Sequence, residues 1–251
     1  MWHYTPYVIL GSLGFMAMHY ARNCITNQVV HSYLIVAEHD KSNTLVTLQK
    51  AIAPRIDTII REVLALPKGQ DDAPRFKVQK HQHLTLYYPT TYAFDQQPSL
   101  IDAIDNLKIA PFDVTIDPDC VFFGDRADTL VMKISDHSGA LHALHNAIKS
   151  KLNGLQVQYK RTHKNDLYDI SASERFTYAP HIGLGRILLN DTRYFSDSEG
   201  AIAAIKERIE SEVFPFIRSL LTTDNSKIHV DGISVGDLNE QQKIFEKRLG
   251  A

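Results

Sequence analysis

Two stretches decide how this chain is read: Phe76–Tyr88, FKVQKHQHLTLYY, and Phe176–Leu189, FTYAPHIGLGRILL. Both are rich in β-branched and aromatic residues, which predicts strands. Pro89 closes the first, and Pro180 in the second suits a sheet edge or a strand start. Residues two apart on a strand share a face. In the first stretch His81, His83, Thr85 and Tyr87 therefore align, opposite Gln82, Leu84, Leu86 and Tyr88. In the second, Thr177, Ala179, His181, Gly183 and Gly185 align, opposite Ile182, Leu184 and Arg186. An imidazole beside a hydroxyl, backed by aliphatic side chains, suits a phosphate. The ring moves a proton and the hydroxyl donates to a non-bridging oxygen. One such strand is ordinary polar–apolar alternation. Two in matching places carry more weight.

The segments around them repeat. Val29–Ala37 reads as a strand, and Thr44–Leu66 carries apolar residues at helical spacing, with a kink or break expected at Pro54. Ser99–Leu107 reads as a short helix. Phe112–Ile116, Cys120–Phe123 and Thr129–Ser135 read as three short strands separated by turn residues. Ser138–Leu152 is a second amphipathic helix, and Arg161–Ser173 a polar, basic loop. A capping box at Ser196 and Glu199 opens a helix that Pro215 is expected to break. Lys227–Val235 reads as a strand and Asn239–Leu249 as a polar terminal helix. Twice, then, a strand leads to an amphipathic helix and on to a histidine-bearing strand. This predicts one bilobal domain over 29–251, with lobes at 29–128 and 129–235 and a C-terminal helix at 239–249, preceded by an extension at 1–28.

Composition narrows the function. With 251 residues, 44% of them hydrophobic and 22% charged, the chain has the profile of a soluble globular protein. Two cysteines, Cys24 and Cys120, exclude a disulfide scaffold. A net charge of −2 excludes a protein that coats nucleic acid through bulk positive charge, so a phosphate ligand must be met by a local cluster. Residues 1–21 carry no formal charge, and the apolar run Tyr7–Met18 is shorter than the roughly 20 residues a spanning helix needs. It lacks the basic start and cleavage site of a signal peptide. The favoured reading is a cytoplasmic protein with a packed extension, or one that starts at Met16 or Met18. A membrane anchor or export signal is the less favoured alternative.

On these residues the sequence resembles the two-histidine phosphoesterase superfamily, and within it the 2′-5′ RNA ligase-like, cyclic-phosphodiesterase group. HLTL at His83–Leu86 matches the H-x-[T/S]-hydrophobic motif in full, and PHIGL at Pro180–Leu184 matches it in its proline, histidine and hydrophobic positions. Pro111–Ile134 is similar to the region between the motifs. The resemblance covers about Val29–Val235 and implies an α+β fold. Each lobe would be an antiparallel sheet flanked by helices, with both histidines facing one phosphate across a central cleft. It also implies a metal-independent phosphodiesterase acting on nucleotides or RNA ends with 2′,3′-cyclic phosphate or 2′-5′ linkages. His83 and His181 would be general acid and base, and Thr85 would orient the phosphate.

Gly183 departs from the motif, since Thr or Ser is expected there. A hydroxyl donating to a charged phosphate contributes about 1.5–3 kcal/mol, against about 10²–10⁴-fold from an acid–base imidazole. Its loss predicts a weakened enzyme. Thr177 shares the face but lies about 13 Å away at strand rise. Gly183 leaves room for a ligand or a close backbone approach. Further candidate substrate contacts are His81, Tyr87 and, from the basic stretch Tyr159–Lys164, Lys160 and Arg161. Tyr87 and Phe123 offer rings for stacking on a base. His81 with His83, and His142 with His145, have spacings a metal can use, but no closed ligand cluster accompanies them. No metal, cofactor or protein partner is expected, and His142 and His145 read as exposed helix residues. Two alternatives remain open: a nucleotide- or RNA-binding protein of this fold with lost turnover, and a 3′-5′ RNA exonuclease.

Overall fold

The computed structural model describes residues 30–40, 42–66, 74–80, 82–93, 97–123, 128–152, 178–188, 198–237 and 241–250. Among the described residues eight strands form one antiparallel sheet: β1 (Val30–His39), β2 (Arg75–Val78), β3 (Leu84–Ala93), β4 (Phe112–Phe123), β5 (Thr129–Ser135), β6 (His181–Leu188), β7 (Lys227–Asp237) and β8 (Gln242–Arg248). Their order is β1-β3-β6-β5-β4-β7-β8, β1 also pairs with β7, and β2 pairs with β6. Six strands thus close a circuit, with β2 and β8 attached outside it. The helices are α1 (Ser42–Val63), α2 (Gln97–Asp105), α3 (Ala140–Leu152), α4 (Ser198–Arg208), α5 (Phe214–Leu220) and α6 (Thr223–Ser226), with a π turn, Ile209–Val213, joining α4 to α5. The expected α+β class with antiparallel strands and flanking helices is what the chain adopts.

A single core holds it together. Leu45, Ile52, Ile56 and Ile60 of α1, Leu141, Leu144 and Ile148 of α3, and Leu84, Leu130, Ile182 and Leu184 of the sheet are all fully buried. Pro54 does not break α1, which runs through it. Losing the proline's hydrogen bond costs about 3 kcal/mol. Each buried Leu or Ile contributes about 1.5–3 kcal/mol, so two of those on α1 offset the cost. Pro215 likewise does not end its helix. The Phe214 N–H bonds Ile209 O five residues back, and this wide turn lets the helix pass the proline.

Three further expectations are corrected. Phe112–Ile116 and Cys120–Phe123 belong to one strand, β4. Its register against β5 breaks between Ile116 and Cys120, where Asp117 Oδ1 accepts from the Asp119 N–H, so Asp-Pro-Asp bulges rather than turns. The terminal segment is not a helix but β8, an edge strand against β7 whose exposed Lys and Glu residues suit an edge. The halves of the sequence also exchange strands: β2 pairs with β6, β4 with β5, and β7 with both β1 and β4. The two consecutive lobes therefore interleave.

Among the described residues no helix is long and apolar enough to cross a membrane. Residues 1–21, the Ser196–Glu199 capping box and Cys24 are not wholly within them.

Candidate active site

The expected strand Phe76–Tyr88 is two strands. β2 ends on β6 with Val78 opposite Gly185, and β3 meets β6 again with Leu84 opposite Ile182. Six residues on one chain thus match three on the other, and the surplus arches out between Gln79 and His83. The arch is held by Gln49, a glutamine of α1 only 4% exposed. Its Nε2 donates to Gln79 O at 2.9 Å and to Leu184 O at 2.7 Å, and its Oε1 accepts from Gln82 Nε2 at 2.6 Å. The Gln79 N–H also donates to Leu184 O, at 3.0 Å.

Opposed residues of an antiparallel pair share a face. Leu84 and Ile182 both point into the core. Thr85 and His181, each next to that pair, take the other face, and the Gln79 carboxamide, which touches both His83 and the Gly183 position, brings His83 to it. A Tyr178 hydroxyl donating to Thr85 O at 2.9 Å fastens the same two segments together.

The surroundings of the two rings differ. His181 Nδ1 lies 2.8 Å from Ala179 O. A carbonyl only accepts, so Nδ1 carries the hydrogen and Nε2 keeps its lone pair. Phe123 sits against this ring, with centroids 4.5 Å apart. Burial holds the imidazole below its ordinary range, the bond to Ala179 opposing only in part. His83, half-buried, has its Nδ1 3.4 Å from Gln79 Nε2. The Gln79 carboxamide also covers Gly183: a Cβ built there would meet Gln79 Oε1 at 1.9 Å and Cδ at 2.8 Å. The room left by the missing side chain is occupied.

Of the other expected contacts, Thr85 lies on the histidine face, and Tyr87 does not. Val36 pairs with Thr85 but Ile35 with Tyr87, so Leu86 is an extra, bulged residue and the alternation slips. Tyr87 turns into the core, is 5% exposed, and presents no ring to a base. His145 donates from Nδ1 to Leu86 O at 2.6 Å, meeting the carbonyl at the bulge, and stacks on Tyr178 with centroids 4.0 Å apart. It is therefore a packing residue rather than the exposed one expected, and burial lowers its pKa. His142 is partly exposed and pairs with Asp136 at 2.8 Å. Among the described residues no three His, Cys, Asp or Glu side chains gather as for a metal ion. His81, Lys160 and Arg161 lie outside the described residues.

Sequence reading missed two residues. In the sequence Gln79 reads as ordinary strand. Lys133, the one charged residue in TLVMKIS, is directly opposite His181 in β5, which puts a cation on the histidine face. Its isolation in an apolar strand was the available signal.

A profile of the 2′-5′ RNA ligase superfamily matches residues 48–216, most of the chain and both histidine strands. The chain belongs to this superfamily. No curated protein sequence is similar enough to count as a relative. Among solved structures, the superfamily member described here is similar to Kluyveromyces marxianus Usb1, with TM-score 0.53 and 9% identity over 88% of this chain and 99% of that one. It is also matched to E. coli LigT complexed with 3′-AMP, with TM-score 0.45 and 12% identity over 89% of this chain and 100% of that one. At such identities the likeness to Usb1 speaks for the fold alone.

Proposed function

We propose that this superfamily member is a metal-independent phosphodiesterase acting on nucleotides or RNA ends that carry a 2′,3′-cyclic phosphate or a 2′-5′ linkage. The observation that supports this reading is the pairing of Leu84 with Ile182, which brings the two histidine motifs side by side. Membership of the superfamily supports phosphoester chemistry at the ribose hydroxyls.

In the proposed reaction the substrate phosphorus lies between the two imidazoles. Neutral His181 takes a proton from water on Nε2, and the oxygen of that water forms the new bond to phosphorus. The bond from phosphorus to one ribose oxygen breaks, and that oxygen takes its proton from the His83 imidazolium. A cyclic diester and water become a monoester, and one proton has passed from His83 to His181 by way of the reactants. Ala179, by fixing the His181 tautomer, suits that ring to the role of base. Thr85 donates to a non-bridging oxygen, and Lys133 adds positive charge beside it. Both proton transfers fall to imidazoles, so the reading needs no metal.

The test is hydrolysis of 2′,3′-cyclic AMP and of a 2′-5′ dinucleotide by the wild-type chain in the presence of EDTA. Turnover is expected, with His83→Ala and His181→Ala each lowering kcat about 10²–10⁴-fold while nucleotide affinity is largely kept. Turnover that needs added zinc overturns it. Gly183 favours one second reading, a nucleotide- or RNA-binding protein that has lost turnover; binding without hydrolysis of either substrate supports that instead.

A further inference from the structure

From the place of the Gln79 side chain we infer that its carboxamide stands in for the hydroxyl missing at Gly183, donating to the bound phosphate and positioning His83. The inference rests on the phosphoester reading of this face, yet it can be tested apart from turnover. Two independent contacts carry it. The amide oxygen and carbon occupy the volume a residue-183 side chain would take, at 1.9 and 2.8 Å from its Cβ position. The amide nitrogen is directed at His83 Nδ1, at 3.4 Å. Gly183 is buried.

The backbone explains how a residue so far away in sequence arrives there. Gln79 is the first residue of the arch, and three hydrogen bonds pin it to β6: its own N–H to Leu184 O, and Gln49 Nε2 to both Gln79 O and Leu184 O. The main chain of residue 79 is thus fixed beside residues 183 and 184, and its side chain need only lie over the glycine. Any β-carbon at 183 would displace it. Glycine at this position is therefore a requirement of the arrangement rather than a defect in it.

The chemistry fits both tasks. A primary amide has two N–H donors and one carbonyl acceptor. After a half turn its carbonyl accepts from Nδ1–H, which His83 keeps both as imidazolium and as the neutral ring left when Nε2 gives up its proton, and its N–H groups then face the phosphate over Gly183. A threonine hydroxyl has one hydrogen and serves only the phosphate. The substitution would thus move the second motif's anion donor onto a residue that also contacts the first motif's histidine.

Four variants test this: Gln79→Ala, Gln79→Glu, Gly183→Ser, and Gln79→Ala combined with Gly183→Ser. Affinity for inorganic phosphate, melting temperature and the ¹⁵N shifts of the His83 ring are read in each, alongside 2′,3′-cyclic AMP hydrolysis. Gln79→Ala is expected to weaken phosphate binding about ten- to a hundred-fold with an unchanged melting temperature and a moved His83 Nδ1 resonance. Adding Gly183→Ser to it should recover most of the lost affinity, whereas Gly183→Ser alone, which collides with the amide, should lower it. Gln79→Glu should raise the pH at which His83 titrates, since a carboxylate favours the imidazolium. Phosphate affinity and His83 resonances untouched by Gln79→Ala, or a double variant no better than Gln79→Ala, overturn the inference. A wild-type chain that binds phosphate through Gln79 but turns over nothing leaves it standing and removes the phosphodiesterase reading; the converse removes this inference alone.

Discussion

The two motif strands differ in how they are held, and the difference runs opposite to their sequences. The first keeps the complete motif, His83-Leu84-Thr85-Leu86, yet its histidine precedes β3 at the end of an arch and its strand bulges at Leu86. The second has lost a hydroxyl, yet His181 lies in a strand paired with β5 at Lys133 and with β3 at Ile182. The fuller motif sits on the more irregular backbone. A good motif does not require a regular strand: Gln49 and Gln82 on one side, and His145 and Tyr178 on the other, supply hydrogen bonds that the ladder does not.

The largest expected effect comes from removing the contact that joins the strands. Leu84→Ala and Ile182→Ala each empty a fully buried position and should cost about 2–5 kcal/mol, read from urea unfolding. A cost below about 1 kcal/mol at Leu84 would show that the first strand is held by its polar clamps and not by the pair. Next comes Thr85→Val, which keeps the shape and deletes the donor. It should lower kcat/KM about ten- to a hundred-fold, close to the effect of Gln79→Ala if the two anion donors are equivalent. A threefold or smaller effect would break that equivalence. The smallest effect is a shift. Burial holds His181, against whose ring Phe123 packs, below its ordinary pKa of 6.5. As a base His181 must be neutral, so activity should persist below pH 6.5 and fall as pH drops through the depressed value. Phe123→Ala exposes the ring and should move that acid limb of the kcat profile upward, toward 6.5, leaving the alkaline limb in place. An unmoved acid limb would assign it to another group.

Alternation and motif spacing single out His83, Thr85 and His181 as candidates, because a strand repeats every two residues over short range. They failed at Tyr87, where one bulged residue reverses the face. They failed again at the C-terminus, where Gln, Lys and Glu favour a helix in isolation but β7 offers an open edge. Gln79 was illegible for a different reason. Nothing in QKHQ distinguishes an arch from a strand, and its partner, Gly183, lies more than a hundred residues on.

By itself the sequence determined the class of fold, the pair of histidines and the gap in the second motif, because these are matters of local pattern and residue type. Only the tertiary structure decided which strands exchange between the halves, which way Tyr87 turns, and what fills the space over Gly183. Those outcomes depend on register between segments remote in the chain, and a register is set by packing and hydrogen bonds that no single segment contains.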